Sequence, residues 1–421
     1  MGVLRLREFR LLFGAQAVSI IGDRMVAIAL AFAVLELGGS ATEVGIVLAA
    51  RIAPMVGTLL IGGVVADRLS RRAVMVAADI ARLISQGAIA LLLLTGAAEV
   101  WMLAVLSGAT GAATGFFNPA STGLIPAIVP PEQIHQANGV RATALSGGEI
   151  LGPAIAGVLI AGLGPGWALA IDAATFGVSA AFLAGLHLPA RVARERSSFI
   201  SDLRDGWGVF TSLTWVWVFV VGAGVGNMLW GAWSTLGPVI AEQDLGGAAA
   251  WGTVLGAMGI GALGGALIAV RVRPRRPLVL ASATFALLIP PLALLAARAP
   301  VAVLAVGAVL GGVSMMLGNS IWESALMRHV PHESLSRVSA YDWFGSLAFQ
   351  PLGLAIWGPI AAVIGISPAV WVATGLLVAT NVALLCSPAV RGLREADVGE
   401  RHRAAWEGPR AAQAELGGAA E

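Results

Sequence analysis

Seven ionisable side chains interrupt long apolar runs in this sequence: Asp23 with Arg24, Arg51, Asp79 with Arg82, Glu149 and Asp172. A charge at the centre of a hydrocarbon layer costs at least ~2.5–3.5 kcal/mol, so each is a candidate for function. The chemistry such a set supports is proton exchange, in which a carboxylate takes up a proton and releases it when an arginine approaches. Asp79 and Arg82 are three apart on one helical face and can pair, in a structural or a transport role. Adjacent helical residues point about 100° apart, so Asp23 and Arg24 do not simply neutralise one another. Asp23, with Arg51 or Arg82 across from it, is the first choice for a coupling carboxylate and Glu149 the second. Glu323 and Asp342 lie nearer the ends of their runs, where solvation or gate pairing fits better.

Other chemistries find no support. The histidines at 135, 187, 329, 332 and 402 form no metal spacing with a carboxylate or with Cys386, so no metal is expected. All 26 basic residues are arginine, and a phosphate-binding loop of the Gly-x-x-x-x-Gly-Lys kind cannot be built without lysine. No cofactor is expected, no nucleophile–base pair marks an enzyme, and an ion or solute gradient must supply the energy.

The elements that position these residues follow from composition. The chain has 421 residues, 57% hydrophobic and 12% charged, about half the charge of a soluble protein. That balance excludes a soluble enzyme, a nucleic-acid binder and a secreted domain. Apolar runs predict spans at 11–37, 42–66, 73–95, 100–128, 136–162, 166–188, 214–240, 249–270, 277–297, 301–327, 336–364 and 368–388. They must be helices, because backbone groups in lipid pair within the segment. The N-terminal run continues through Asp23 to Leu37, too long for a cleavable signal core, and is expected to be retained. Arginines concentrate at the N-terminus, after the second and eighth spans, in the stretch 189–213 and in the tail, whereas Arg298 is alone on the opposite side. The positive-inside rule then places both termini in the cytoplasm, with the chain in the plasma membrane.

The polar stretch 189–213 divides the chain into expected units 1–188 and 214–388, followed by a disordered cytoplasmic tail at 389–421. At a constant offset of 201 residues, Asn118 matches Asn319, Val129-Pro130 matches Val330-Pro331 and Glu132 matches Glu333. Gly152, Gly157 and Gly164 match Gly353, Gly358 and Gly365 at the same offset. Two parallel six-span repeats around a central cavity suit a transporter that alternates access. Five tryptophans, Trp215, Trp217, Trp230, Trp233 and Trp251, cluster around the seventh and eighth spans. Those near span ends read as interfacial anchors, whereas Trp230, Trp233 and Trp343 are candidates for an aromatic cavity.

Gly63-Val-Val-Ala-Asp67-Arg68-Leu-Ser70-Arg71-Arg72 resembles the loop motif between the second and third spans of the major facilitator superfamily, with Ser70 in place of the second glycine. Gly63 would let helices approach, and Asp67 would face a helix N-terminus. In the fifth span Gly139, Gly148, Gly152-Pro153 and Ala156-Gly157 resemble the motif associated with exporters of that superfamily, departing at Ala156. Ser19-Ile-Ile-Gly22-Asp23, Arg51-Ile-Ala-Pro54, Asn118-Pro119-Ala120 and Ala137-Asn138-Gly139 are similar to the branch of enterobactin exporters and macrolide-efflux permeases. The resemblance implies an all-α membrane protein of twelve transmembrane helices in two six-helix pseudo-repeats. It also implies a cavity built mainly by the first, fourth, seventh and tenth spans, carrying Asp23, Arg24, Asn118, Asn227, Trp230, Asn319 and Glu323, and a gating cluster of Asp67, Arg68, Arg71 and Arg72.

The function expected is export of a small amphipathic molecule, a drug, macrolide or siderophore, in exchange for protons. The partners are that molecule, protons and the bilayer, with no nucleic acid, and the chain is expected to be a monomer. An importer or lysolipid flippase of the same fold, and a non-transporting receptor, remain as alternatives.

Overall fold

The computed structural model describes residues 2–187 and 207–394, apart from the side chains at 60, 64, 66, 67, 126, 332, 333, 336 and 337. Most of the stretch 189–213 and the tail beyond 394 lie outside the described residues. Among the described residues, 12 helices are long and apolar enough to cross a membrane. They are α1 Arg7–Glu36, α2 Ala41–Arg68, α3 Arg71–Thr95, α4 Val100–Ile128, α5 Ile134–Leu163 and α6 Pro165–Ala184. The second half supplies α7 Thr214–Ile240, α8 Gly247–Ala269, α9 Pro277–Ala296, α10 Val301–His329, α11 Val338–Ile364 and α12 Ile366–Cys386.

Local chemistry sets the ends. Ser40 opens α2 with a capping box, its N–H donating to Glu43 Oε2 at 2.7 Å while its hydroxyl accepts from the Glu43 N–H. Ser70, where the family pattern has glycine, caps the N-terminus of α3 by accepting from Ala73 N–H. Gly96 ends α3 in the left-handed region at φ 71°. The eleventh span, expected as one run, is two helices, His332–Ala348 and Gln350–Ile364. The reason is Pro351, which has no N–H to donate to the preceding turn and restricts the residue before it.

The 201-residue repeat reaches the backbone. Gly164 joins α5 to α6 at φ 86°, ψ 163°, and Gly365 joins α11 to α12 at φ 91°, ψ 157°. Gly152 presses on Arg24 of α1, and Gly353 presses on Met228 of α7, the equivalent helix.

Packing differs between the two ends of the bundle. At the end far from the chain termini, a single apolar cluster joins both halves, from Met25–Val34 of α1 and Val44–Ala49 of α2 to Leu229–Ala241 of α7 and Leu354–Ala361 of α11. At the terminus end the core splits in two. Phe9, Met75, Phe117 and Leu124 belong to a first-half cluster, and Phe219, Leu278, Trp322 and Leu326 to a second-half cluster. The halves are therefore sealed together at the far end and separately cored at the terminus end.

Two seams make the seal, both from backbone. A Cβ on Gly252 of α8 would stand 2.7 Å from the Pro153 carbonyl oxygen and 2.8 Å from Gly157 Cα on α5. A Cβ on Gly358 of α11 would stand 2.3 Å from Thr42 Cα on α2, and one on Gly45 of α2 would stand 2.3 Å from the Leu354 carbonyl oxygen. Small residues allow such approach where lipid offers no hydrophobic drive for association. Arg298, the one arginine at this end among the described residues, pairs with Asp244 at 2.9 Å and donates from Nε to Ser367 Oγ at 3.0 Å. It ties the α9–α10 turn to the ends of α7 and α12.

Candidate functional site

One turn of α1 serves four neighbours, because its 3.6-residue repeat sends successive residues to different faces. Gly22 faces α6, where an added Cβ would stand 2.3 Å from Asp172 Oδ1. Asp23 faces α2 and α3, taking Arg51 Nη2 at 3.0 Å and Arg82 Nη1 at 3.9 Å. Arg24 faces α5 and pairs with Glu149 at 2.9 Å. Asp23 and Arg24 thus each find a partner on another helix.

Arg82 is the fixed point of the cluster. Its side chain is 2% exposed, its Nη2 bonds Asp79 one turn earlier, and its guanidinium lies between the rings of Phe117 and Phe176, 4.2 and 4.4 Å from their centroids. Asp79 is completed by Ser179 of α6, whose hydroxyl donates to Oδ2 at 2.6 Å. Stacking on two desolvated rings and paired charges hold the guanidinium in one plane. Asp172 is fully buried at the same α1–α6 junction, and neither of its carboxylate oxygens has a hydrogen-bond partner.

Among the described residues the second half has no such cluster, and at the 201-residue offset the positions matching Asp23, Asp79 and Arg82 are Gly224, Leu280 and Ala283. It holds instead a cavity of about 300 Å3 lined by α7, α9, α10, α11 and α12. Asn227, Trp230, Asn319, Glu323 and Trp343 line it, as do Phe219, Phe285, Trp322 and Asp342, which the sequence reading did not assign to it. Trp322 stacks on Phe219 with centroids 4.3 Å apart and donates from Nε1 to Asp342 Oδ2 at 3.0 Å. Asn227 Nδ2 donates to the Ser346 carbonyl at 2.8 Å. Among the described residues the lining has two carboxyl groups and no basic side chain.

Several expectations need correction. Asp342 is buried within the bundle rather than solvated near a span end. Trp233 does not line the cavity; it is 2% exposed, between Trp230 and Trp251 at centroid distances of 5.2 and 4.9 Å in the far-end core. Asn118 is exposed and also lies outside that cavity, which takes no residue from α1 or α4.

The loop motif is built differently from its expected form. A Cβ on Gly63 would meet nothing within 4 Å, whereas one on Gly62 would stand 2.5 Å from the Gly115 carbonyl oxygen of α4. The side chain of Asp67 lies outside the described residues, and Arg68 is exposed. Arg71 donates to the Gly123 carbonyl of α4. Arg72 donates to the carbonyl oxygens of Leu186 at 2.9 Å and Ala184 at 2.5 Å, placing a cation on the C-terminal end of α6.

In the fifth span, Gly148 packs on Ile20 and Gly152 on Arg24, both of α1, and Gly157 packs on α8. Gly139 meets nothing within 4 Å. Pro153 leaves the Glu149 carbonyl without its helical donor, and Gly259 of α8 lies against that oxygen, where a Cβ would stand at 2.7 Å.

A sealed pair of six-helix bundles, one with a buried ion-pair cluster and the other with a polar aromatic cavity, is the build of a multi-pass membrane transporter. The family model described as Major Facilitator Superfamily matches residues 12–353, and the chain belongs to that superfamily. It is 29% identical over 372 residues to the multidrug efflux pump Tap of Mycolicibacterium fortuitum, covering 82% of this chain and 87% of the relative. It is 28% identical to Tap of Mycobacterium tuberculosis, covering 91% and 94%. Macrolide efflux protein A of Streptococcus pyogenes is 25% identical over 211 residues, covering 48% and 51%.

Among solved structures, a bacterial homologue of the human lysosomal transporter Spinster, in an inward-facing and unoccupied conformation, superposes with a TM-score of 0.72 at 13% identity, covering 92% of this chain and 97% of that one. The peptide transporter POT in complex with sulfate gives 0.73 at 13% identity, covering 92% and 96%. At that identity the likeness is one of fold.

Proposed function

We propose that the chain exports an amphipathic organic molecule from the cytoplasm in exchange for protons, by alternating access between its two halves. One observation carries this reading. The first half holds a network of carboxylates and arginines, Asp23–Arg51–Arg82–Asp79, buried at Asp79 and Arg82, and the second holds an aromatic cavity whose described lining has two carboxyl groups and no basic side chain. The network suits proton exchange, because its carboxylates compete for shared arginines. The cavity suits a lipophilic cation, which gains from aromatic faces and from Glu323 and Asp342, over an anionic siderophore. The efflux pumps among the relatives favour the outward direction.

Arginine-rich loops support a cytoplasmic position for both termini in the plasma membrane. On that orientation the far-end seal faces outward and the protein is in its inward-facing state. The units 1–188 and 214–388 would rock about the α2–α11 and α5–α8 seams, with Arg24–Glu149 beside one of them. Gly148, Gly152 and Gly157 let α5 move against α1 and α8.

The test uses everted vesicles loaded acid-inside with a quenched pH dye, to which macrolides, cationic dyes and siderophores are added. Proton release evoked by cationic compounds is the expected result, and its loss in Asp23→Asn places the coupling in the first-half network. Release evoked only by anionic compounds would overturn the substrate class. Uptake or lipid flipping without proton movement would favour the importer or flippase reading.

A further inference from the structure

We propose that Asp172 of α6, rather than Asp23, holds the exchanged proton in the state described here. The inference rests on the proton-exchange reading above and assigns its carrier.

Charge balance comes first. Three carboxyl groups, Asp23, Asp79 and Asp172, share two guanidinium groups, Arg51 and Arg82, inside one bundle. Arg24 and Glu149 neutralise each other on the α5 side, so they leave that balance unchanged. With every group ionised the cluster carries one uncompensated negative charge. A buried uncompensated charge is strongly disfavoured, and one proton removes it.

Geometry says which carboxyl takes the proton. Asp23 accepts from Arg51 at 3.0 Å and lies 3.9 Å from Arg82, and it is 31% exposed. Asp79 accepts from Arg82 and from Ser179. Asp172 is fully buried with neither oxygen bonded, although Asp23, Arg51 and Arg82 all lie within electrostatic reach of it. Thr175 does not help, because its hydroxyl donates to the Asp172 backbone carbonyl rather than to the side chain. Gly22 packs on Oδ1 so closely that a Cβ there would stand at 2.3 Å. The group without a cation is therefore the group that is neutral.

The release step is also present. Arg51 keeps one buried nitrogen, Nη1, without a hydrogen-bond partner while Nη2 holds Asp23. When α1 shifts against α6, Arg51 can exchange Asp23 for Asp172, whose O–H bond then breaks and passes its proton to water. Asp23 is left free for a proton or for a cationic solute in turn. One proton moves per arginine exchange.

The experiment reads the proton directly, without a transported compound. Infrared spectra of the purified full-length protein in nanodiscs at neutral pH report the carbonyl stretch of protonated carboxyl groups, identified by its shift in D2O. Asp172→Asn should remove one such band. Asp23→Glu keeps the charge count and should leave that band at its original frequency. An Asp172→Asn spectrum with every band intact, or a band that moves in Asp23→Glu, would overturn the assignment. So would an Asp172→Asn protein that fails to fold, because the amide is the neutral stand-in for a protonated acid. The vesicle assay stands apart: proton release with an unchanged Asp172→Asn spectrum would sink the carrier alone. Band loss without release from any compound would sink the exchange reading and leave a bound proton.

Discussion

Arg82 is gripped by Asp79, by the more distant Asp23 and by two aromatic rings, so its replacement by lysine is not conservative. Arg82→Lys keeps the charge but gives up the planar stack, worth about 2 kcal/mol for a desolvated pair. It should lower the thermal stability of the purified protein and abolish the proposed proton-coupled export, as melting curves and the vesicle assay would show together. In the other half, Asp342→Asn removes a cavity carboxylate while leaving an acceptor for Trp322 Nε1. Binding of cationic dyes should weaken roughly tenfold, the equivalent of about 1.4 kcal/mol, with neutral compounds unaffected in fluorescence titrations. The charged residues of the first half were legible because each stands in an apolar run. Their pairing was not, because it depends on helix rotation: Asp23 pairs across to Arg51 and Arg24 to Glu149. The Trp322–Asp342 bond stayed hidden for the same reason, since its two ends come from different helices.

At the scale of helices, small residues at regular spacing pointed to close contacts without saying which glycine makes them. Gly62 rather than Gly63 meets α4, because one residue turns the helix by about 100°. Likewise Gly139 belongs to the pattern in α5 yet faces open space, whereas Gly252, in no motif, touches Pro153 and Gly157. Gly139→Ala should therefore change stability by no more than about 0.5 kcal/mol. Gly252→Ala forces two backbones apart and should cost about 1–3 kcal/mol in the sealed state. Denaturation of the two variants in the same detergent would separate them. The break in α11 was unreadable as an interruption of hydrophobicity, since Leu347, Phe349 and Leu352 keep the run apolar and only Gln350-Pro351 marks it.

Across the whole molecule, one apolar cluster at the far end and two at the terminus end describe a single conformation of the two-state cycle proposed above. A substitution that penalises only the seal shifts the population toward the opposite opening. Gly358→Ala would meet backbone atoms of α2, and a penalty of about 1–3 kcal/mol changes the ratio of states roughly 5–150-fold. Leu236, fully buried in the far-end cluster, offers a reporter. With the exposed Cys386 changed to serine, Leu236→Cys should label slowly with maleimide, and markedly faster when Gly358→Ala is added. Labelling at one rate in both proteins would show that the seal is not the element that opens. The twelve-helix plan was readable from hydropathy and arginine placement. The conformation was not, since both states use the same helices.

The seams have a further consequence. At Gly45, Gly252 and Gly358 they bring backbone against backbone, so at those points no glycine side chain has to withdraw before the halves part. Opening should therefore resemble the sliding of two smooth surfaces rather than the release of a latch, with a shallow dependence of exchange rate on temperature. Each methyl group added along the α5–α8 seam would roughen that surface and steepen the dependence.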